Sequence, residues 1–129
     1  MRLLLDTHLL LWSAEGPAER LPAEAAALIG NEANDLFFSA ASIWEIALKN
    51  ARGRDDFRAD PQRLRRGLSE NGYTEIPITS EHAAAVSHLP PIHKDPFDRI
   101  LVAQARLEGT VLLTSDATLA EYGAPARRV

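Results

Sequence analysis

The 129-residue chain has no cysteine, which excludes disulfide staples and thiolate metal sites and permits a reducing compartment. No apolar run approaches the roughly 20 residues that a membrane-spanning helix needs. The opening Met1-Arg2-Leu3-Leu4-Leu5-Asp6 leaves no room for a signal-peptide hydrophobic region before its first acid. These absences lead to the expectation of a soluble, cytoplasmic protein with no membrane partner. Repeats, low-complexity tracts and linkers are missing too, so residues 1–129 are expected to form one domain, long enough to bury about two-thirds of its unfolded surface. An overall positive surplus is also lacking. The net charge of −4 argues against nucleic-acid binding by the whole surface, though not by one face.

What is present is an alternation of extended and helical patterns, which favours an α/β sandwich with four to five parallel strands and helices on both faces of the sheet. Residues 2–5 read as a strand, and Leu9, Leu10, Leu11 and Trp12 as a buried helix broken at Gly16-Pro17. The stretch 22–30, rich in alanine and glutamate, is a helix that stops at Gly30-Asn31. A second strand at 36–39 leads to a helix from about Ser42 to Arg52, where Ile43, Ile46 and Ala47 share a face. Asp60-Pro61 is an N-cap with proline at the first helical position, and Gly72 suits the left-handed residue after the helix ends. A third strand is expected over 74–78, helical structure over 80–88, a helix over 96–108 stopped by Gly109, and a fourth strand over 111–114. A short helix follows Asp116, and the stretch 123–129 can add an edge strand despite Pro125.

Four carboxylates stand out against this frame. Asp6 and Asp116 are the first acids after β-like runs, which puts them at the carboxyl edge of a parallel sheet, where open α/β sheets bind ligands. Glu45 lies in Ser-Ile-Trp-Glu and Asp98 in Asp-Pro-Phe-Asp-Arg. Each has a structural alternative. Asp6 and Asp116 can cap the helices that follow. Glu45 stands three residues after Ser42, the spacing of a capping box, and Asp98 can be a first-turn acid behind an Asp95 cap. Taken jointly, however, converging carboxylates repel and raise one another's pKa unless a cation neutralises them. An oxygen-only donor set selects a hard cation such as Mg²⁺, which binds through carboxylates, waters and substrate phosphates. The chemistry indicated is metal-assisted phosphodiester hydrolysis.

The segments Leu-Leu-Leu-Asp-Thr at 3–7, Ser-Ala-Ala-Ser-Ile-Trp-Glu-Ile-Ala at 39–47, Asp-Pro-Phe-Asp-Arg-Ile-Leu-Val-Ala-Gln-Ala at 95–105 and Leu-Leu-Thr-Ser-Asp at 112–116 resemble the PIN-domain ribonucleases, and more narrowly the VapC toxins of type II toxin–antitoxin systems. The resemblance covers nearly the whole chain in order, the third segment being the most specific. It implies a PIN-like three-layer sandwich and an endoribonuclease dependent on Mg²⁺ or Mn²⁺. Asp6, Glu45, Asp98 and Asp116 match the acidic metal-binding and catalytic set, with Thr7 and Ser115 as small polar neighbours. It also implies an RNA substrate, a homodimer, and a VapB-type antitoxin whose tail enters the active-site groove.

Several residues stand apart from that pattern. His8 occupies a position where many relatives have a small residue, and reads as a helix-start histidine in preference to a branch feature that contacts substrate. His82 and His88 lack helical metal-pair spacing and are expected at the surface, while His93, in the loop before Asp98, can approach RNA. Trp12 and Trp44 lie in apolar helical runs and are expected to pack a core or an interface rather than stack bases. From Lys49 to Arg66 there are seven basic residues against three acids, either a solvated helical face or a phosphate-contacting surface. Two other functions compete: a catalytically idle interaction domain, and a haloacid-dehalogenase-like phosphatase with Asp6 as nucleophile. The second usually needs another Asp two residues on, and position 8 is His.

Overall fold

Five short strands, β1 (Arg2–Leu5), β2 (Asp35–Ser39), β3 (Thr74–Ile76), β4 (Val111–Thr114) and β5 (Ala126–Arg128), form one parallel sheet in the order β3-β2-β1-β4-β5. This is a computed structural model, and it describes residues 1–16 and 18–129. The expected break at Gly16-Pro17 therefore falls partly outside the described residues, since Pro17 is not among them. The helices are α1 (Thr7–Ala14), α2 (Ala23–Gly30), α3 (Ala40–Ala51), α4 (Pro61–Glu70), α5 (Ser80–Ala85), α6 (Pro96–Glu108) and α7 (Ala117–Ala120). Among the described residues no helix is long and apolar enough to cross a membrane.

The central strand explains the layering. Leu3, Leu4 and Leu5 are all fully buried, as a parallel strand covered on both faces requires. Side-chain alternation sends Leu3 and Leu5 into a core with Leu113, Phe38 and residues of α1, α2, α3 and α4. Leu4 points the other way and joins Leu112, Leu101, Val102 and Leu119 of the second core. Because β2 and β3 lie to one side of β1 and β4 and β5 to the other, the strand order reverses between β1 and β4. A crevice opens at the carboxyl ends of strands at such a reversal.

Local signals set most boundaries. Asp60 accepts from the N–H groups of Gln62 and Arg63 with Pro61 as the first helical residue, and α6 ends where Gly109 adopts φ 66°. Three boundaries differ from expectation. Helix α3 starts at Ala40, directly after β2, because the Ser39 hydroxyl accepts from Ala41 N–H at 3.0 Å. Ser42 is therefore not the cap, and Glu45 sits mid-helix rather than in a capping box. Strand β3 stops at Ile76 because Pro77 has no N–H for the ladder. The helix expected over 80–88 changes to a 3₁₀ turn at Val86–His88 before Pro90 and Pro91. The edge strand forms because Pro125 precedes it and contributes only its carbonyl, which accepts from Leu112 N–H.

His82 is buried rather than at the surface. It is the third residue of α5, where its Nδ1 accepts from Thr79 N–H while its own N–H donates to the Thr79 hydroxyl. Its Nε2 lies 2.9 Å from Glu108 Oε1. Those partners make burial of the ring affordable, and His88 remains exposed as expected.

An acidic cleft at the carboxyl edge of the sheet

The crevice between β1 and β4 is a cleft of about 300 Å³ whose lining includes Asp6, Glu45, Asp98 and Asp116, together with Thr7 and Ser115. The four acids expected from the sequence are thus gathered in one place, though each is held differently. Asp6 is buried and both its oxygens are engaged. Oδ1 accepts from Leu9 N–H at 3.0 Å as the cap of α1, and Oδ2 accepts from the Thr114 hydroxyl. Asp116 caps α7 through Oδ1, which accepts from the N–H groups of Thr118 and Leu119. Both acids therefore perform the structural role weighed above and also line the cleft.

Glu45 projects from α3 and is buried. The Thr7 hydroxyl donates to its Oε1 at 2.6 Å, and Lys49, one turn on, holds its Oε2. Lys49 also lies 3.7 Å from Asp95 Oδ2. Asp95 caps α6 by accepting from Phe97 N–H, which makes it the cap expected from the sequence, and it too lines the cleft.

Asp98 is the member with no such employment. It sits in the first turn of α6 with 17% of its side chain exposed, and its nearest polar neighbour is His93, whose Nε2 is 3.1 Å from Oδ2. Burial first, and then the charges of Asp95, Glu45, Asp6 and Asp116, push its carboxyl up to about 8. Burial likewise holds Asp6 above the ordinary carboxylate value. For Asp116 burial pushes upward, but the N–H groups of Thr118 and Leu119 and then His93 outweigh it, so its pKa lies lower than usual. A carboxyl kept near 8 by burial and like charge is a group short of a cation, and the donors around it are hard oxygens.

The sequence did not single out the cationic wall of this cleft. Lys49 and Arg54 come from the basic run, but they stand apart from its arginines on α4. Arg63 and Arg66 line a separate hollow of about 770 Å³ between the end of α1 and α4, which shares no residue with the acidic cleft. Arg65 faces Glu75 at 3.6 Å. His8 is a helix-start residue as expected, stacked on Trp12 and tilted against Phe57, yet it also borders the cleft. Beyond membership of that run, the i, i+4 spacing of Glu45 and Lys49 was the signal that ties Lys49 to the acids. Trp12 packs against the first core, whereas Trp44 is 58% exposed and rests edge-on against Phe97 at 5.0 Å, so it does not pack a core.

Comparison with known proteins follows the same lines. A family model of the PIN domain matches residues 3–125, and no curated protein matches the chain. The fold is similar to the crystal structure of VapBC2 from Rickettsia felis bound to a DNA fragment from their promoter, at 12% identity and TM-score 0.65, covering 95% of this chain and 94% of that one. It is similar to a toxin–antitoxin complex from Klebsiella pneumoniae at 21% identity and TM-score 0.65, covering 98% and 99%. VapBC-1 from nontypeable Haemophilus influenzae gives 14% identity and TM-score 0.64, covering 100% and 97%. At these identities the likeness is one of fold.

Proposed function

The chain belongs to the PIN-domain family, and from that premise we propose that residues 1–129 act as one metal-dependent endoribonuclease domain, the cytoplasmic toxin of a VapBC-type pair. Asp6, Glu45, Asp98 and Asp116 would hold Mg²⁺, with Mn²⁺ as an alternative. The observation that carries this reading is Asp98, a largely buried acid that caps nothing and is crowded by four other acids in the crevice between β1 and β4. When bound, such an ion polarises a phosphodiester, lowers the pKa of a water and stabilises the leaving oxygen.

The protein's own contribution is orientation. Thr7 and Lys49 fix Glu45, Thr114 and the start of α1 fix Asp6, and Arg54, oriented on the rim by two hydrogen bonds to Asp56, offers a guanidinium to an RNA backbone. The partners proposed are RNA, a second copy of the chain and a VapB-type antitoxin, in keeping with neighbours solved as toxin–antitoxin complexes. An idle binding domain has no need to retain the costly Asp98. A phosphatase nucleophile at Asp6 is disfavoured because the second acid two residues on is absent, position 8 being His8.

Purified protein is expected to cleave single-stranded RNA internally with Mg²⁺ or Mn²⁺ present and to stop in excess chelator. Cleavage that continues undiminished in chelator, or intact RNA under every metal condition, would reject the nuclease reading.

The path of the RNA backbone gives a second expected result. Affinity for a single strand falls with salt at a slope of about −0.7 per phosphate contact on logarithmic axes. In an Asp98→Asn background, which keeps the RNA whole, Arg54→Gln should flatten that slope by about 0.7, because Arg54 lines the cleft. Joint replacement of Arg63, Arg65 and Arg66 by Ala should leave it unchanged, because Arg63 and Arg66 line another hollow and Arg65 faces Glu75. The opposite pattern in a binding titration would move the RNA path onto α4.

A further inference from the structure

His93 stands between two of the proposed metal-holding acids, its Nε2 3.1 Å from Asp98 Oδ2 and 3.4 Å from Asp116 Oδ2. Those three ligand-type atoms are close enough together to share an ion, so histidine ligation is the obvious reading. The other ring nitrogen argues against it. His93 Nδ1 accepts a hydrogen bond from Asp95 N–H at 3.1 Å, so Nδ1 must present its lone pair and the ring proton belongs on Nε2. A protonated Nε2 has nothing to offer a cation. Its hydrogen is aimed at Asp116 Oδ2, while Asp98 Oδ2 lies 3.1 Å from the same nitrogen, off the N–H direction.

The loop is built to keep the ring in that position. His93 N–H donates to the Tyr122 hydroxyl at 3.0 Å, and Arg99 Nη1 donates to the same oxygen at 3.1 Å and to Pro90 carbonyl at 3.0 Å. Arg99 Nη2 reaches the carbonyl of Val86. One arginine on α6 thereby fastens the segment on both sides of the turn at Pro90-Pro91, and Tyr122, just beyond α7, ties His93 itself to the β4 side of the crevice. Asp98 on α6 and Asp116 before α7 belong to the two elements so joined.

We infer that His93 is a positioning residue of the metal site: its ring, fixed by Asp95 and Tyr122, donates Nε2–H to Asp116 and abuts Asp98 at 3.1 Å, setting the spacing of the two acids without itself binding the ion. This rests on the metal reading proposed above. Groups that orient ligating side chains typically account for 10–100-fold in metal affinity.

The test is Mn²⁺ binding by calorimetry to the full chain, with pulsed electron paramagnetic resonance of the loaded wild type. His93→Ala should weaken Mn²⁺ binding by about 10–100-fold. His93→Gln, which keeps an N–H donor at similar reach, should recover much of that loss. Tyr122→Phe should weaken binding by a smaller factor, because only the support behind His93 is removed. The resonance spectrum should show no directly coordinated nitrogen. A strong nitrogen coupling would make His93 a ligand and overturn the inference. Unchanged affinity in His93→Ala would reduce the residue to loop packing, and a glutamine variant as weak as the alanine would show that the donor is not what matters. Wild-type protein that binds no Mn²⁺ would instead overturn the metal reading, and this inference with it.

Discussion

Asp98→Asn is expected to lower metal-dependent RNA cleavage by about a hundredfold or more while leaving the fold intact, because it removes a full negative charge from the proposed ion at nearly constant volume. No backbone N–H depends on Asp98, so the substitution leaves no helix uncapped. Asp6→Asn should be comparably severe. Asparagine still caps α1 through its side-chain oxygen, and the loss falls on the oxygen that now faces Thr114. Glu45→Gln should cost less, since Lys49 and Thr7 already share much of its charge and hydrogen bonding. Asp116→Asn should cost least, because its Oδ1 is committed to capping α7 and a water can bridge from Oδ2 to the ion. The order is read from initial cleavage rates at saturating Mg²⁺, with circular dichroism to check folding. Wild-type cleavage by Asp98→Asn would remove the central acid from the mechanism.

Much of this arrangement was legible in the sequence because it rests on short-range signals. The leucine run before Asp6, the Asp-Pro starts of α4 and α6 and the glycine stop of α6 act within one turn of chain, and together they bring three acids to helix starts beside strand ends. Glu45 shows where such reasoning fails. Ser39 and Ser42 are both good caps, and only the pairing of β2 through Ser39 decides that the helix begins without a loop, which sends Glu45 to the crevice instead of back to the helix start. His82 was misplaced at the surface because, beyond the local Thr79 N–H, the groups that satisfy its ring, Gln104 and Glu108, lie more than twenty residues away on α6. The hold on His93 is likewise long-range, since it depends on Tyr122 and Arg99 meeting across the crevice. Periodicity and capping rules carry no information about such meetings.

The stability of the metal-free protein should fall as pH rises from about 5 to about 8, the reverse of what an ordinary salt-bridged acid produces. The Asp98 carboxyl is held near 8 in the folded state, by burial and then by Asp95, Glu45, Asp6 and Asp116, against about 4 in the unfolded chain. The folded state therefore binds this proton more tightly. Its contribution is complete below about pH 4 and lost as pH passes the folded value. Asp6, also raised, acts with the same sign. Asp116 and Asp56, both lowered, act with the opposite sign, but their contributions are lost only below about pH 4, outside this window. In chelator the wild-type melting temperature should therefore drop by several degrees between pH 5 and 8, corresponding to a loss on the order of a few kcal/mol after allowance for solvent in an open cleft. Asp98→Asn has no proton to lose there, so its profile should be flatter and it should melt no lower than wild type at pH 8. Mg²⁺ should raise the wild-type melting temperature most at the alkaline end, where the carboxylates are free to receive it, and should raise that of Asp98→Asn far less. A structural cap would behave otherwise: Asp98→Ala would then cost about 0.5–2 kcal/mol in chelator and leave the metal shift untouched. That second pattern in the thermal scans would make Asp98 a structural residue and detach the acidic crevice from the metal.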